Sequence, residues 1–122
     1  MTRILSMLLM AGFAWGPPAP APLRPGRTVE MEVTAYCLTG TTASGAHTRK
    51  GIVAADPRLL PLGSRVRVRG LGRGLDGTYD VEDTGRLIKG RELDLYMRDC
   101  DRAIEFGRQD ARVTVLALGP SS

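Results

Sequence analysis

The chain has 122 residues, of which 43% are hydrophobic, and its formal net charge at pH 7 is +4. This length fits one compact domain and is too short for two, since domains typically contain roughly 100 to 150 residues. Arg3, Arg24 and Arg27 precede residue 28 without any acid, and from residue 28 onward 14 basic residues are balanced by 13 acidic ones. There is no aromatic-rich RNA-binding pattern and no zinc-finger spacing, so we expect no nucleic-acid partner.

The N-terminal segment has the pattern of a secretory leader. Arg3 is followed by an apolar run from Ile4 to about Trp15 and then by small residues. This run is shorter than the roughly 20 apolar residues that a membrane-spanning helix needs, so we interpret it as a signal peptide, with a buried N-terminal helix as the alternative. PPAPAPLRPGR, residues 17–27, is then a proline-rich extended spacer with little to bury.

These features predict the organisation of the chain. We expect residues 1–27 to form the signal peptide and spacer, and residues 28–119 to form the folded domain. The mature protein is expected to be an exported monomer of the periplasm or cell wall, with no membrane span after processing.

Apolar residues in the domain recur with a period of two, which indicates β-strands. The clearest strand is TVEMEVTAY, residues 28–36, and further strands are predicted at residues 52–55, 65–68, 78–83, 92–96 and 112–117. DCDRAIEFG, residues 99–107, predicts a short helix with Asp99 or Asp101 as its N-cap and Gly107 as its end. Six short strands and one helix predict a mainly β, closed barrel, because closure removes exposed strand edges.

The sequence RVRVRG predicts one face of a strand that carries Arg65, Arg67 and Arg69. We interpret this face as solvated, and a contact surface for an anionic polymer is the alternative.

Cys37 and Cys100 are the only cysteines. An exported protein can join them in a disulfide, but sequence supplies no distance between them, so both the bridged and the free state remain open. The single histidine, His47, lies in a polar loop and completes no usual zinc spacing. We therefore expect no zinc site of the usual spacing.

Three aspartates stand at the ends or bends of predicted strands. Asp83 precedes a Thr-Gly turn, Asp94 lies in LDLY, and Asp56 precedes a proline. Taken singly, each has a structural explanation, because aspartate accepts hydrogen bonds from turn amides and is readily solvated on an outer strand face.

Four segments place these aspartates in a longer pattern: TAY at 34–36, GIVAADPRLLPLGSRVRV at 51–68, EDTGRLIKGRELDLYM at 82–97 and EFGRQDARVTVL at 105–116. In this order they resemble the 3D (three-aspartate) domain family. That family is related to the C-terminal barrel of membrane-bound lytic transglycosylase A and, more distantly, to rare lipoprotein A-like domains. The resemblance implies a six-stranded double-psi β-barrel with one short helix, acting on the glycan strands of peptidoglycan.

The resemblance also implies roles for individual residues. Asp94 matches the catalytic acid of the family's lytic transglycosylases, with Asp83 and Asp56 beside it in a groove. Candidate substrate contacts fall on Thr34, Tyr36, Thr84, Gly85 and Lys89. Arg86 departs from the family pattern, in which a small residue often follows the Thr-Gly pair; it would narrow the groove or pair with an acid.

The implied reaction cleaves bonds between N-acetylmuramic acid and N-acetylglucosamine, with an aspartate as general acid and base, and it needs no metal or organic cofactor. Such an acid must keep its proton near neutral pH, well above the usual aspartate pKa of about 3.9, and burial or a neighbouring carboxylate raises the pKa in this direction. A non-catalytic peptidoglycan-binding barrel is the first alternative. A dimeric aspartic protease is the second, since DTG is also the motif of that class.

Overall fold

The computed structural model describes residues 20–72 and 74–120. Its elements are β1 (Thr28–Tyr36), β2 (Ile52–Ala55), β3 (Arg65–Arg69), β4 (Gly77–Asp83), β5 (Glu92–Tyr96), α1 (Cys100–Phe106) and β6 (Gln109–Ala117). The predicted signal peptide lies outside the described residues. Within them, no helix has the length and apolar character that crossing a membrane requires.

The six strands close into a barrel in the order β1-β5-β2-β4-β3-β6, with β6 pairing back onto β1. The β1/β5 and β2/β4 pairs are parallel, and the other neighbouring pairs are antiparallel. Every strand therefore has a partner on both sides, which leaves no free sheet edge. This architecture confirms the predicted mainly β, six-stranded barrel with one short helix.

Alternating apolar side chains fill the barrel. Strand β3 shows the pattern clearly, since Val66 and Val68 are buried whereas its three arginines are exposed. Residues from all six strands and the helix contribute to the core, including Met31, Val33, Val53, Val66, Val68, Val81, Leu93, Leu95, Phe106, Val113 and Val115. The arginine face of β3 is thus a consequence of packing the valines inward.

Most element boundaries agree with the sequence prediction to within one residue, and β6 is the exception. It begins at Gln109, three residues before the predicted start, because Ala111 is buried and pairs with Met31 of β1. Helix α1 uses Asp99 as its N-cap, whose side chain accepts hydrogen bonds from the next helical amides. The helix ends at Gly107, which has a φ of 63°.

The proline-rich segment before β1 packs more closely than predicted. Leu23 is only 6% exposed and belongs to the core, and its backbone amide donates to the carbonyl of Leu59 at 2.9 Å. The Gly26 amide donates to the carbonyl of Val115 at 2.7 Å. The expectation that this spacer has little to bury is therefore wrong at Leu23, and the packed part of the chain begins before Thr28.

Cys37 and Cys100 form a disulfide, with their α-carbons 5.1 Å apart. The bridge answers the question that the sequence left open. It ties the residue after β1 to the first residue of α1.

Candidate functional site

Asp94 and Asp83 lie on β5 and β4, the two strands that flank β2. Asp94 is in register with Ala54 across the β2/β5 pair, and Asp83 is in register with the same alanine across the β2/β4 pair. A register shift between Val53 and Ala54 places Asp83, and not Glu82, opposite Ala54. Since neighbouring strands lie about 4.8 Å apart, the α-carbons of the two aspartates are separated by roughly 10 Å. Irregularities of this kind change the direction of side chains. Here the register shift places Asp83 and Asp94 on either side of Ala54.

Asp94 occupies a partly buried position on the strand. The Thr34 hydroxyl donates a hydrogen bond to Asp94 Oδ1 at 2.9 Å, from the residue in register with it on β1. Burial raises the pKa of Asp94 and the charge of Asp83 adds to this effect, whereas the hydrogen bond from Thr34 opposes it. The balance favours the protonated carboxyl more than in a free aspartate, which is the direction a general acid needs.

Asp83 is held by three donors from its own chain. Its Oδ1 accepts hydrogen bonds from the backbone amides of Ala43 at 3.0 Å and Thr84 at 2.9 Å, and its Oδ2 accepts one from the Tyr36 hydroxyl at 3.3 Å. Burial and the charge of Asp83 raise the pKa of Tyr36, so the phenol keeps its proton and remains a donor. This set of donors fixes the position of the Asp83 side chain.

Asp56 is placed differently from the other two aspartates, because it is only 1% exposed. The Arg58 guanidinium donates to both of its oxygens, at 3.0 and 2.8 Å, and the Gly90 amide donates at 2.8 Å. The hydrogen bond with Arg58 holds the pKa of Asp56 well below its usual range, with help from the Gly90 amide. The expectation that Asp56 lines the groove beside Asp94 therefore needs correction: a buried, ionised carboxylate with these partners fastens the loop before β5 to the end of β2.

The loop between β4 and β5, residues 84–91, depends on two glycines. A Cβ on Gly85 would lie 2.7 Å from Ile88 Cγ1, so this position of the Thr-Gly motif admits no side chain without displacing Ile88. Gly90 has a φ of +67°, which favours glycine, and its amide contacts Asp56. Gly85 thus has a packing reason for its identity, separate from the substrate contact that the resemblance implies.

Arg86, Lys89 and Arg91 are the cations of this loop, and all three are exposed. The backbone amide of Lys89 donates to Glu92 Oε1 at 3.1 Å, and its ammonium group takes part in none of the ion pairs among the described residues. Arg86 is also exposed and takes part in none of the ion pairs formed within residues 20–72 and 74–120. The possibility that Arg86 pairs with an acid is not realised in that part of the chain.

Two tyrosines continue the site toward the end of the barrel. The rings of Tyr36 and Tyr96 meet edge to face, with centroids 5.5 Å apart and planes 65° apart. The hydroxyls of Tyr96 and Thr39 are hydrogen-bonded at 2.9 Å. Tyr36 therefore contacts Asp83 at its hydroxyl and Tyr96 at its ring.

The sequence analysis did not single out several residues that shape the site: Ala43, Ala54, Arg58, Gly90 and Tyr96. Arg58 follows Asp56 by two residues, and this spacing was a usable signal for a local ion pair. Ala43 and Gly90 act through backbone amides, which any residue except proline supplies, so their identities carry no such signal. Within the described parts of the chain, no three His, Cys, Asp or Glu residues are clustered as a metal site would require.

The 3D domain family profile matches residues 51–117, which is more than half of the chain and includes all three aspartates. This chain belongs to the 3D domain family. The matched region includes the DTG sequence, so the 3D family explains this motif and the aspartic protease interpretation is not needed. In this 3D domain, the matched region covers every strand except β1.

Two curated proteins of Bacillus subtilis (strain 168) are similar in sequence to this 3D domain protein. The putative cell wall shaping protein YabE is 29% identical over 100 residues, covering 75% of this chain and 23% of YabE. The cell wall-binding protein YocH is 34% identical over 98 residues, covering 71% of this chain and 32% of YocH. The 3D domain protein thus spans about a quarter to a third of these relatives.

Solved structures share the barrel. Escherichia coli MltA with bound chitohexaose superposes with a TM-score of 0.54 and 19% identity, covering 68% of this chain and 29% of MltA. The Streptomyces papain inhibitor superposes with a TM-score of 0.57 and 18% identity, covering 75% of this chain and 96% of the inhibitor. These likenesses establish the fold of the 3D domain protein, and function has to be argued from its site.

Proposed function

We propose that this 3D domain protein cleaves the glycan strands of peptidoglycan as a lytic transglycosylase or related glycosidase, with Asp94 as the general acid and base. The observation that carries the proposal is the pairing of two unequal carboxyls across Ala54. Asp94 has a raised pKa, and Asp83 is fixed by three hydrogen-bond donors. The two carboxyls of a glycoside-cleaving site have different tasks. One donates a proton, and the charge of its neighbour stabilises the transition state.

The proposed reaction needs two proton transfers, one from Asp94 to the leaving oxygen and one from the attacking hydroxyl back to Asp94. Thr34 occupies Oδ1 of Asp94, which leaves Oδ2 to carry the proton. Asp94 protonates the glycosidic oxygen as its bond to C1 of the muramic residue breaks, and the anionic Asp83 stabilises the positive charge that develops on the sugar. The C6 hydroxyl then bonds to C1 and returns its proton to Asp94, giving a 1,6-anhydro end. A water molecule in place of this hydroxyl would give a reducing end and make the reaction a hydrolysis. No cofactor takes part in this scheme.

The remaining site residues have supporting roles in this proposal. Tyr36 and Thr84 hold Asp83, whereas Thr34 holds Asp94. Lys89 is exposed in the loop between β4 and β5 and is proposed as a contact for the glycan or its substituents. Asp56 acts as a positioning residue, because its carboxylate is buried.

The location proposed for the protein is outside the cytoplasm, in the periplasm or cell wall. The disulfide between Cys37 and Cys100 supports this, since such bridges persist in oxidising compartments. The names of YabE and YocH connect both relatives with the cell wall.

A second candidate function is binding to the wall without cleavage. The name of YocH, a cell wall-binding protein, favours it. In that case the two aspartates would hold the glycan by accepting hydrogen bonds from its hydroxyls.

Purified protein incubated with peptidoglycan sacculi distinguishes the candidates when soluble products are read by mass spectrometry and bound protein by sedimentation. The proposal predicts fragments that end in 1,6-anhydromuramic acid, and fragments with reducing ends would establish hydrolysis instead. Protein that sediments with the sacculi while releasing no fragment would contradict cleavage and establish the binding function.

A further inference from the structure

A cavity of about 650 Å³ lies at the end of the barrel and contains none of the three aspartates. Its apolar floor includes Leu75, Leu95 and Met97. Among the described residues, its rim carries four cations, namely Arg49, Lys50, Arg98 and Arg102. An apolar floor under a cationic rim suits the binding of a small organic anion.

The charge on the rim is poorly compensated. Asp99 is the only acid among the described residues that line the cavity, and its Oδ1 already accepts hydrogen bonds from the amides of α1. Arg49 is engaged by Asp80 at 3.2 Å and Glu82 at 3.6 Å. The other three cations take part in none of the ion pairs among the described residues. The described part of the rim therefore presents three positive charges that are outside any ion pair.

The cavity is linked to the proposed catalytic site by two aromatic rings. Tyr96 lines the cavity, and its ring packs against Tyr36, whose hydroxyl donates to Asp83. Residues 39 and 47–51 line the cavity, while Ala43 in the same loop donates its amide to Asp83. One loop and one tyrosine pair thus border both the cavity and the proposed catalytic site.

Building on the proposed cleavage of peptidoglycan, we propose that this cavity binds the peptide stem that branches from the muramic residue. The stem's free carboxylates match the cations Lys50, Arg98 and Arg102, and its alkyl side chains match the floor formed by Leu75, Leu95 and Met97. A polyol phosphate polymer would use the cations but leave the floor without a partner. The substrate of this protein is therefore stem-bearing glycan, in preference to naked glycan.

Isothermal titration of a disaccharide tetrapeptide muropeptide into the full-length protein tests the inference. Arg98→Gln combined with Arg102→Gln should weaken binding at least about tenfold, because each substitution removes a charge-assisted hydrogen bond to a carboxylate of the ligand. The matched control is Arg67→Gln combined with Arg69→Gln, which removes the same charge from the exposed face of β3 and should leave binding within about twofold. Equal weakening in both double variants, or no binding by the wild type, would overturn the inference.

Binding of a phosphate polymer and cleavage of naked glycan, measured on the same proteins, distinguish failure of the cavity assignment from failure of the proposed function. Poly(glycerol phosphate) that binds more tightly than the muropeptide, and loses its affinity in the Arg98/Arg102 variant, would overturn the peptide assignment in favour of a phosphate polymer. Cleavage of naked glycan strands without muropeptide binding would overturn the cavity assignment and leave the catalytic proposal standing. Muropeptide binding that depends on Arg98 and Arg102, without cleavage of any glycan, would support the cavity assignment and contradict catalysis.

Discussion

The Thr34 hydroxyl donates a hydrogen bond to Asp94 Oδ1 at 2.9 Å across the parallel β1/β5 pair. This contact opposes the effect of burial, because it favours the ionised carboxylate. Thr34 therefore tunes the acid as well as orienting it.

Thr34→Val should move the alkaline limb of the pH–rate profile to higher pH. The substitution removes the donor that lowers the pKa of Asp94, while burial and the charge of Asp83 continue to raise it. A general acid with a higher pKa stays protonated to higher pH. The measurement is the initial rate of fragment release across a pH series. Thr28→Val, at a surface hydroxyl pair with Thr114, is the control and should leave the profile unchanged. A limb that stays in place or moves to lower pH would refute the assignment of Asp94 as the acid.

Asp56→Asn should lower the free energy of unfolding at pH 7 by about 1–3 kcal/mol, because hydrogen bonds to a charged, buried group are lost. Since folding lowers the pKa of Asp56, its stabilising contribution is present above the unfolded pKa of about 3.9 and disappears as the pH falls below it. The difference between wild type and variant should accordingly shrink in acid. Urea denaturation at several pH values measures it.

Asp80→Asn is the matched control for Asp56, since Asp80 pairs with Arg49 and Arg65 on the surface. Exposed pairs contribute roughly 0–1 kcal/mol, so this variant should remain close to wild type. A gap for Asp56→Asn that widens as the pH falls would contradict the proposed positioning role.

Leu23→Ala should destabilise the protein by about 2–4 kcal/mol, as is usual for removing a large buried aliphatic side chain. Leu38→Ala provides the comparison, because Leu38 is 81% exposed, and this change should have little effect. Chemical denaturation of the two variants measures both. Equal stability of the two would show that the segment before β1 contributes nothing to the fold.

The barrel could be predicted from the sequence because the patterns that define its strands and helix are local and repetitive. Alternating residues such as Val66 and Val68 between arginines define strands, and Asp99 with Gly107 defines the helix. The early start of β6 was missed because Gln109 and Asp110 are polar, and only the pairing with β1 reveals them as a strand. The burial of Leu23 was missed for a similar reason, since a single apolar residue among prolines forms no periodic pattern.

The aspartates were located in the sequence, but their inequality depends on tertiary structure. The register shift beside Ala54 decides that Asp83 and Asp94 flank the same residue. Asp56 has the same residue type as Asp94, yet Arg58 and Gly90 give it the opposite direction of pKa shift. The two-residue spacing of Arg58 from Asp56 is a signal for a local ion pair, but no spacing in the sequence encodes the burial of that pair or the hydrogen bond between Thr34 and Asp94.

The most direct test of the central claim compares Asp94→Asn with wild type for the rate at which 1,6-anhydromuramic ends are released from peptidoglycan. Asparagine keeps an acceptor for Thr34 but supplies no acidic proton, and loss of a general acid typically costs about 10²–10⁴-fold in rate. Folding disfavours the charge of Asp94, so the neutral variant should be at least as stable as wild type at pH 7. A folded Asp94→Asn protein that has lost at least about 100-fold in rate is the predicted result, and cleavage at the wild-type rate would contradict the account.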